Sequence, residues 1–230
     1  MKFEAIKTDR LYIKVANQLS RLISDGHIGL GQKFPAERDL AERLGVSRPT
    51  IREAMIALEM SGVIEIRTGS GIYVTQRKPK LDLGDKGVGP FEILETRLFF
   101  ESEACALAAT RITDAQIAQL KQALREMEEE NKQENASEQA DWKFHCIIAD
   151  ACQNSAIYTI VNWLWELRNQ SELHAAFLER IRNEGVRPML EDHQTIINAL
   201  EKRDPEAARA AMHEHLEKAT TAAASHFGSS

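Results

Sequence analysis

The stretch DWKFHCII, residues 141 to 148, sets a carboxylate and an imidazole four positions apart in an otherwise bulky, apolar run. Four residues is about one helical turn, so Asp141 and His145 share a face. Ile148 and Cys152 continue that face beyond His145, which turns it toward a core. A carboxylate directed into a helical core is costly unless something pairs with it, and a metal cation would. The last two helical segments supply further ligands. His193 lies eleven residues before the break at Asp204 and His215 eleven residues after it, so antiparallel packing brings the two imidazoles level. Leu190, Ile197 and Leu200 surround the first, and Ala208, Ala211, Met212 and Ala219 the second. Asp141, His145, His193 and His215 thus form a candidate three-histidine, one-carboxylate centre for Zn, Ni, Mn or Fe, with positions left open for water or a ligand. His27, His174, His213 and His226 are excluded. His213 falls on nearly the opposite face from His215, and His226 is about 16 Å further along the helix.

A second buried charge lies in PFEILETRLFFESEACALAA, where Leu94, Arg97, Leu98, Glu101, Ala104, Cys105 and Ala108 make an inward stripe. A buried guanidinium wants an anion. Either Arg97 and Glu101 form a structural pair, or Arg97 clamps the carboxylate of a small effector while Glu101 orients the clamp or takes a hydroxyl. Trp163, Trp165 and Arg168 are either pocket lining or core.

The elements that position these residues are legible from periodicity and punctuation. Apolar residues recur at helical spacing from Arg10 to Ser24, a short helix fits Ala36 to Leu44, and Ser47 caps a third from about Arg48 to Met60. Gly45 between the last two gives a helix-turn-helix, and VIEI (63 to 66) with IYV (72 to 74), joined by RTGSG, predicts a hairpin wing. Residues 77 to 90, RKPKLDLGDKGVGP, have linker composition. Beyond them the pattern is helical over about 91 to 110, 113 to 134, 137 to 152, 155 to 182, 187 to 202 and 205 to 225. The expected fold is therefore mostly α: a winged helix-turn-helix over residues 1 to 76, a linker, and an all-helical antiparallel bundle over 91 to 227 that holds the effector site and the dimer contacts.

Composition agrees with two modules. Residues 1 to 80 carry 14 Lys+Arg against 9 Asp+Glu, leaving 15 against 26 for the rest of a chain whose net charge is −6. A basic module joined to an acidic one suits a DNA reader coupled to something that need not touch DNA. No apolar run approaches the roughly 18 residues of a membrane span, and the polar start MKFEAIKTDR is unlike a signal peptide. A cytoplasmic protein with no membrane partner is expected, its three cysteines reduced.

In PAERDLAERLGVSRPTIREAM, residues 35 to 55, Arg48, Thr50 and Arg52 sit at the start of the helix that enters the major groove in such motifs. An arginine there can grip guanine O6 and N7 bidentately. Ser47 or Thr50 can donate to phosphate, Arg38 is placed for a backbone or base-edge contact, and Thr68 and Gly69 at the wing tip reach the minor groove or flanking phosphates. Arg67 and Lys33 are weaker candidates of the same kind.

The 41-residue stretch FPAERDLAERLGVSRPTIREAMIALEMSGVIEIRTGSGIYV resembles the winged helix-turn-helix of GntR-family transcription regulators, and the helical second half is similar to the FadR-type subgroup, whose effector domain is called FCD. The resemblance implies DNA contacts at Arg38, Arg48, Arg52, Thr68 and Gly69. It also supports the metal set, because many FCD domains bind a metal through an aspartate and three histidines. The start GPFEILETR is most similar to FCD regulators of hexuronate and aldonate use, which implies a sugar-acid effector. The resulting expectation is a homodimeric, ligand-responsive regulator, a repressor, on a palindromic double-stranded operator. The alternatives are a metal-sensing regulator and a metal-dependent hydrolase, with Glu101 as the available general base.

Overall fold

In a computed structural model, residues 10–76, 87–133 and 138–227 are described. Helix α1 (Leu11–Ser24) buries Tyr12, Ile13, Val15, Ala16, Leu19 and Ile23 along one stripe. Helices α2 (Glu37–Leu44) and α3 (Arg48–Met60) follow. Gly45 closes α2 in the left-handed conformation, φ 65°, that a side chain would strain, and this sets the sharp turn into α3. Ser47 caps α3 by accepting from the Thr50 backbone N–H at 3.2 Å, and Pro49 fits the first turn, where no N–H is needed. Strands β1 (Ile64–Arg67) and β2 (Gly71–Val74) pair antiparallel, from Ile64 opposite Val74 to Arg67 opposite Gly71. Gly69, φ 70°, takes the turn between them.

The second half is helical throughout its described residues: α4 (Pro90–Ala109), α5 (Asp114–Asn131), α6 (Gln139–Ala151), α7 (Ser155–Gln170), α8 (Glu172–Asn183), α9 (Leu190–Glu201) and α10 (Pro205–Ser225). Thr113 and Gln116 cap α5 reciprocally. Asp204 opens α10 by accepting from the Ala207 N–H at 3.1 Å, so the break expected there is a helix cap. The shared core comprises Ala104, Cys105, Ala108, Leu120, Met127, Phe144, Ile148, Ile196, Ile197, Leu200, Met212 and Leu216, with others around them.

One sequence expectation is corrected. The helix expected over 155 to 182 is two helices, broken at Ser171. The Ser171 hydroxyl accepts from the His174 N–H at 3.1 Å and donates to the Val88 carbonyl at 2.8 Å, so this buried residue caps α8 rather than continuing α7. The expected linker, 77 to 90, lies mostly outside the described residues, and α4 already begins at Pro90.

The chain forms two compact units. The first takes residues up to Phe91 together with Ser171–Phe177 and the segment from Ala224; the second takes Glu92–Gln170 and Leu178–Ala223. Within the first, Phe91, Phe177 and Phe227 pack ring against ring, with centroids 5.4–6.2 Å apart. No described helix is long and apolar enough to cross a membrane.

Candidate functional site

Two groups of residues carry chemistry, one in each unit. On the winged helix-turn-helix, Arg38 stands almost free in solvent, its side chain 84% exposed, and Arg48 is 58% exposed at the first position of α3. Arg52 is only 12% exposed. What holds it was not legible from the residue pattern: the buried Glu37 carboxylate forks, one oxygen 2.7 Å from Arg48 Nε and the other 2.8 Å from Arg52 Nε. The Arg52 guanidinium also lies over the Phe91 ring, 5.0 Å from its centre. Glu37 begins α2 and the arginines occupy the first two turns of α3, so a single carboxylate ties the two helices at the arginine-bearing end. Thr50 is buried, its hydroxyl bonded to that of Ser47 at 2.8 Å, which places both within the cap. Thr68 and Gly69 are exposed at the wing tip, and neighbouring Arg67 lies over Tyr73.

In the second unit, Asp141, His145, His193 and His215 converge, with one ligand atom from each lying within 4.8 Å of all the others. All four are buried, His193 completely and Asp141 at 8% exposure. Helix α6 contributes Asp141 and His145 from one face. Helices α9 and α10 contribute His193 and His215, whose ring centres are 4.4 Å apart. Of the other described histidines, His213 is half exposed beside Glu217, and His174 is buried in the first unit.

The local geometry aims lone pairs at the centre. His193 Nδ1–H donates to the Met189 carbonyl, which only accepts, at 2.8 Å, and this leaves Nε2 facing Asp141 Oδ1, 2.9 Å away. His145 Nε2 is 3.5 Å from the same oxygen, while Glu101 lies against its Nδ1. A ring nitrogen facing a carboxylate meets it through a proton of its own or through a cation held between them. Among the described residues, neither ring nitrogen of His145 has an aligned hydrogen-bond partner, and His215 Nδ1 is buried without one. Burial, with His193 and His145 beside it, pushes the His215 imidazole well below its usual range and keeps it in the neutral, ligating form. Burial would raise Asp141, but the two imidazoles outweigh it and hold the carboxylate ionised. Borderline nitrogen donors plus one charged oxygen fit a divalent transition metal.

Beside this cluster, Arg97 Nε donates to Glu101 Oε1 at 2.7 Å. Burial works against the Glu101 charge, yet Arg97 and His145 bring its pKa down to about 2. Glu101 is therefore already divided between Arg97 and His145, the position of an outer partner that orients a ligating imidazole. Arg97 Nη2, buried, has no hydrogen-bond partner among the described residues. Trp165 lies next to it, while Trp163 is half exposed and apart from the core.

Comparison with known proteins agrees with both halves. Residues 11–74 match the family model described as bacterial regulatory proteins, gntR family, and residues 92–218 match the FCD domain. The chain is 37% identical over 215 residues to the "Uxu operon regulator" of Haemophilus influenzae, spanning 91% of this chain and 80% of that protein. It is 36% identical over 222 residues to the "Exu regulon transcriptional regulator" of Escherichia coli K12, spanning 93% and 84%. The solved structure of E. coli McbR/YncC, at 22% identity, TM-score 0.52 and coverage of 94% of this chain and 98% of that one, shares the fold. The relatives are transcription regulators, so the hydrolase alternative falls away. Two matched models that between them take in nearly the whole described fold, and relatives above 35% identity along nine-tenths of the sequence, place this chain in the GntR family of bacterial transcription regulators, with an FCD domain as its second half.

Proposed function

We propose that this regulator is a cytoplasmic, homodimeric repressor whose FCD domain binds a divalent metal through Asp141, His145, His193 and His215 and a small carboxylate effector through Arg97. Residues 1 to 76 form the DNA-reading head, 77 to 90 the linker and 91 to 227 the effector and dimer domain. The reading head favours a dimer: one short helix offers few base contacts, and two-fold symmetry on a palindromic operator doubles them. The observation that carries the effector assignment is Arg97 Nη2, a buried guanidinium donor without a partner beside the four-residue cluster. An unsatisfied buried donor costs about 1–3 kcal/mol, which a ligand oxygen would recover.

Charge points the same way. Arg97, Arg168, Arg182 and a divalent ion carry five positive charges against three from Glu101, Glu138 and Asp141, so the set favours a negatively charged ligand. A sugar acid such as a hexuronate or aldonate has that charge and hydroxyls to complete the site, and regulators of the Uxu operon and Exu regulon are among the relatives. When bound, the metal supplies a Lewis-acidic anchor for the effector oxygens. Arg97 fixes the orientation of the carboxylate, and Glu101 fixes Arg97 and His145. The effector regulates by favouring one of two conformations that differ in operator affinity.

The test is fluorescence anisotropy of DNA from upstream of the protein's own gene, titrated with galacturonate, glucuronate and gluconate. One acid is expected to release the DNA at sub-millimolar concentration, and Arg97→Ala to abolish that response without loss of metal. DNA release by metal ions alone, with no acid active, would replace this assignment with metal sensing. A related expectation concerns Glu101→Gln. Loss of the carboxylate behind His145 should weaken metal affinity by roughly 10- to 100-fold, as removal of outer partners does, measured by competition with a chromogenic chelator.

A further inference from the structure

Trp165, on α7, is 95% buried by its 5% exposure and has guanidiniums on its ring system, Arg97 Cζ 4.2 Å and Arg168 Cζ 4.3 Å from the ring centre. Arg168 is itself fixed, because its Nη2 is paired with Glu138, whose other carboxylate oxygen accepts from Arg182 Nε at 3.2 Å. The His145 ring is also close, its centre 5.4 Å from that of Trp165. An indole already covered by two cations is not available as a stacking platform for a sugar ring. What remains is its edge, and the Nε1–H there is buried with no hydrogen-bond partner. Two unsatisfied donors, Arg97 Nη2 and Trp165 Nε1, thus belong to side chains in direct contact with each other and next to a candidate metal ligand.

Buried indole N–H groups ordinarily find an acceptor. The described protein atoms offer none to Trp165 Nε1, and a carboxylate carries two acceptor oxygens where Arg97 Nη2 needs only one. We infer that Trp165 is a specificity-determining residue whose indole N–H donates to the effector carboxylate alongside Arg97, with Arg168 and Glu138 holding the indole in place. The assignment rests on the effector site proposed above. It makes the pocket selective for an anion with two adjacent acceptor oxygens, and it predicts that shape alone at position 165 does not suffice.

The experiment is calorimetric titration of the full-length, metal-loaded protein with galacturonate, glucuronate and gluconate, comparing wild type with Trp165→Phe and with 3-benzothienylalanine at position 165. The latter keeps the indole outline and replaces the N–H by sulfur. A hydrogen bond to a charged acceptor predicts effector binding weaker by roughly 10- to 100-fold in both variants. Metal content should be unchanged, and the melting temperature of the benzothienyl protein without effector should match that of wild type. Wild-type affinity in the benzothienyl protein would overturn the inference and leave the effector site standing, even if Trp165→Phe binds poorly for want of volume. Failure of wild type to bind any of the three acids would remove the effector assignment and this inference together.

Discussion

His193→Ala is expected to empty the metal centre, with affinity falling by more than the roughly 10- to 100-fold that loss of an outer partner costs, and to abolish effector-driven release of DNA. His193 is the fully buried member, and it connects α9 to α6: Nδ1–H is committed to the Met189 carbonyl, and Nε2 faces Asp141. Removing it takes away a nitrogen donor and leaves the Asp141 carboxylate buried with half of its compensation. It also opens a gap against Phe144, whose ring stands edge-on to the imidazole at 4.8 Å. Metal analysis after dialysis reads the first effect and operator anisotropy with the sugar-acid panel the second. Retained metal would show that His193 is a structural partner of Asp141 and nothing more. Operator affinity without effector should change little, because the reading helix belongs to the other unit.

Arg48→Ala is expected to produce the complementary loss. Operator affinity should fall by about 30-fold or more at physiological salt, because a bidentate arginine–guanine contact is worth about 1–3 kcal/mol and a symmetric dimer makes it twice. Binding to unrelated DNA should weaken much less, since that depends on total phosphate neutralisation, and metal content should not change. Exposure distinguishes the two arginines of the reading helix. Both are paired with Glu37, but Arg48 keeps more than half of its side chain in solvent, whereas Arg52 is only 12% exposed and lies over the Phe91 ring. Unaltered operator affinity in Arg48→Ala, measured by anisotropy at moderate salt, would remove it from the base-reading set.

Much of this architecture is local, and that part could be read directly. Ser47 capping α3, Gly45 ending α2, Asp204 opening α10 and the Gly69 turn are each decided by a few neighbouring residues with strong conformational preferences. The meeting of His193 and His215 was also legible, because equal distances from a tight turn fix the register of two antiparallel helices. The break at Ser171 was not. The 155 to 182 pattern is helical throughout, and the cap forms because Val88, 83 residues earlier, offers its carbonyl to the serine hydroxyl.

Sequence alone determined the reading head, the helical character of the second half and the faces that carry Asp141, His145, Arg97 and Glu101, since periodicity assigns each residue to a face. Which of those faces oppose one another was a tertiary decision. Asp141 meets His193 across 52 residues, Glu101 is shared between Arg97 and His145, and Glu37 spans two arginines on the next helix. Trp165 likewise has Arg97 and Arg168, from different helices, over its ring, while its N–H finds no acceptor among the described residues. The physical reason is range: a helix face is set by 3.6-residue geometry, whereas the partner of a buried charge is set by packing, where the cost of leaving it unpaired selects one arrangement of the bundle.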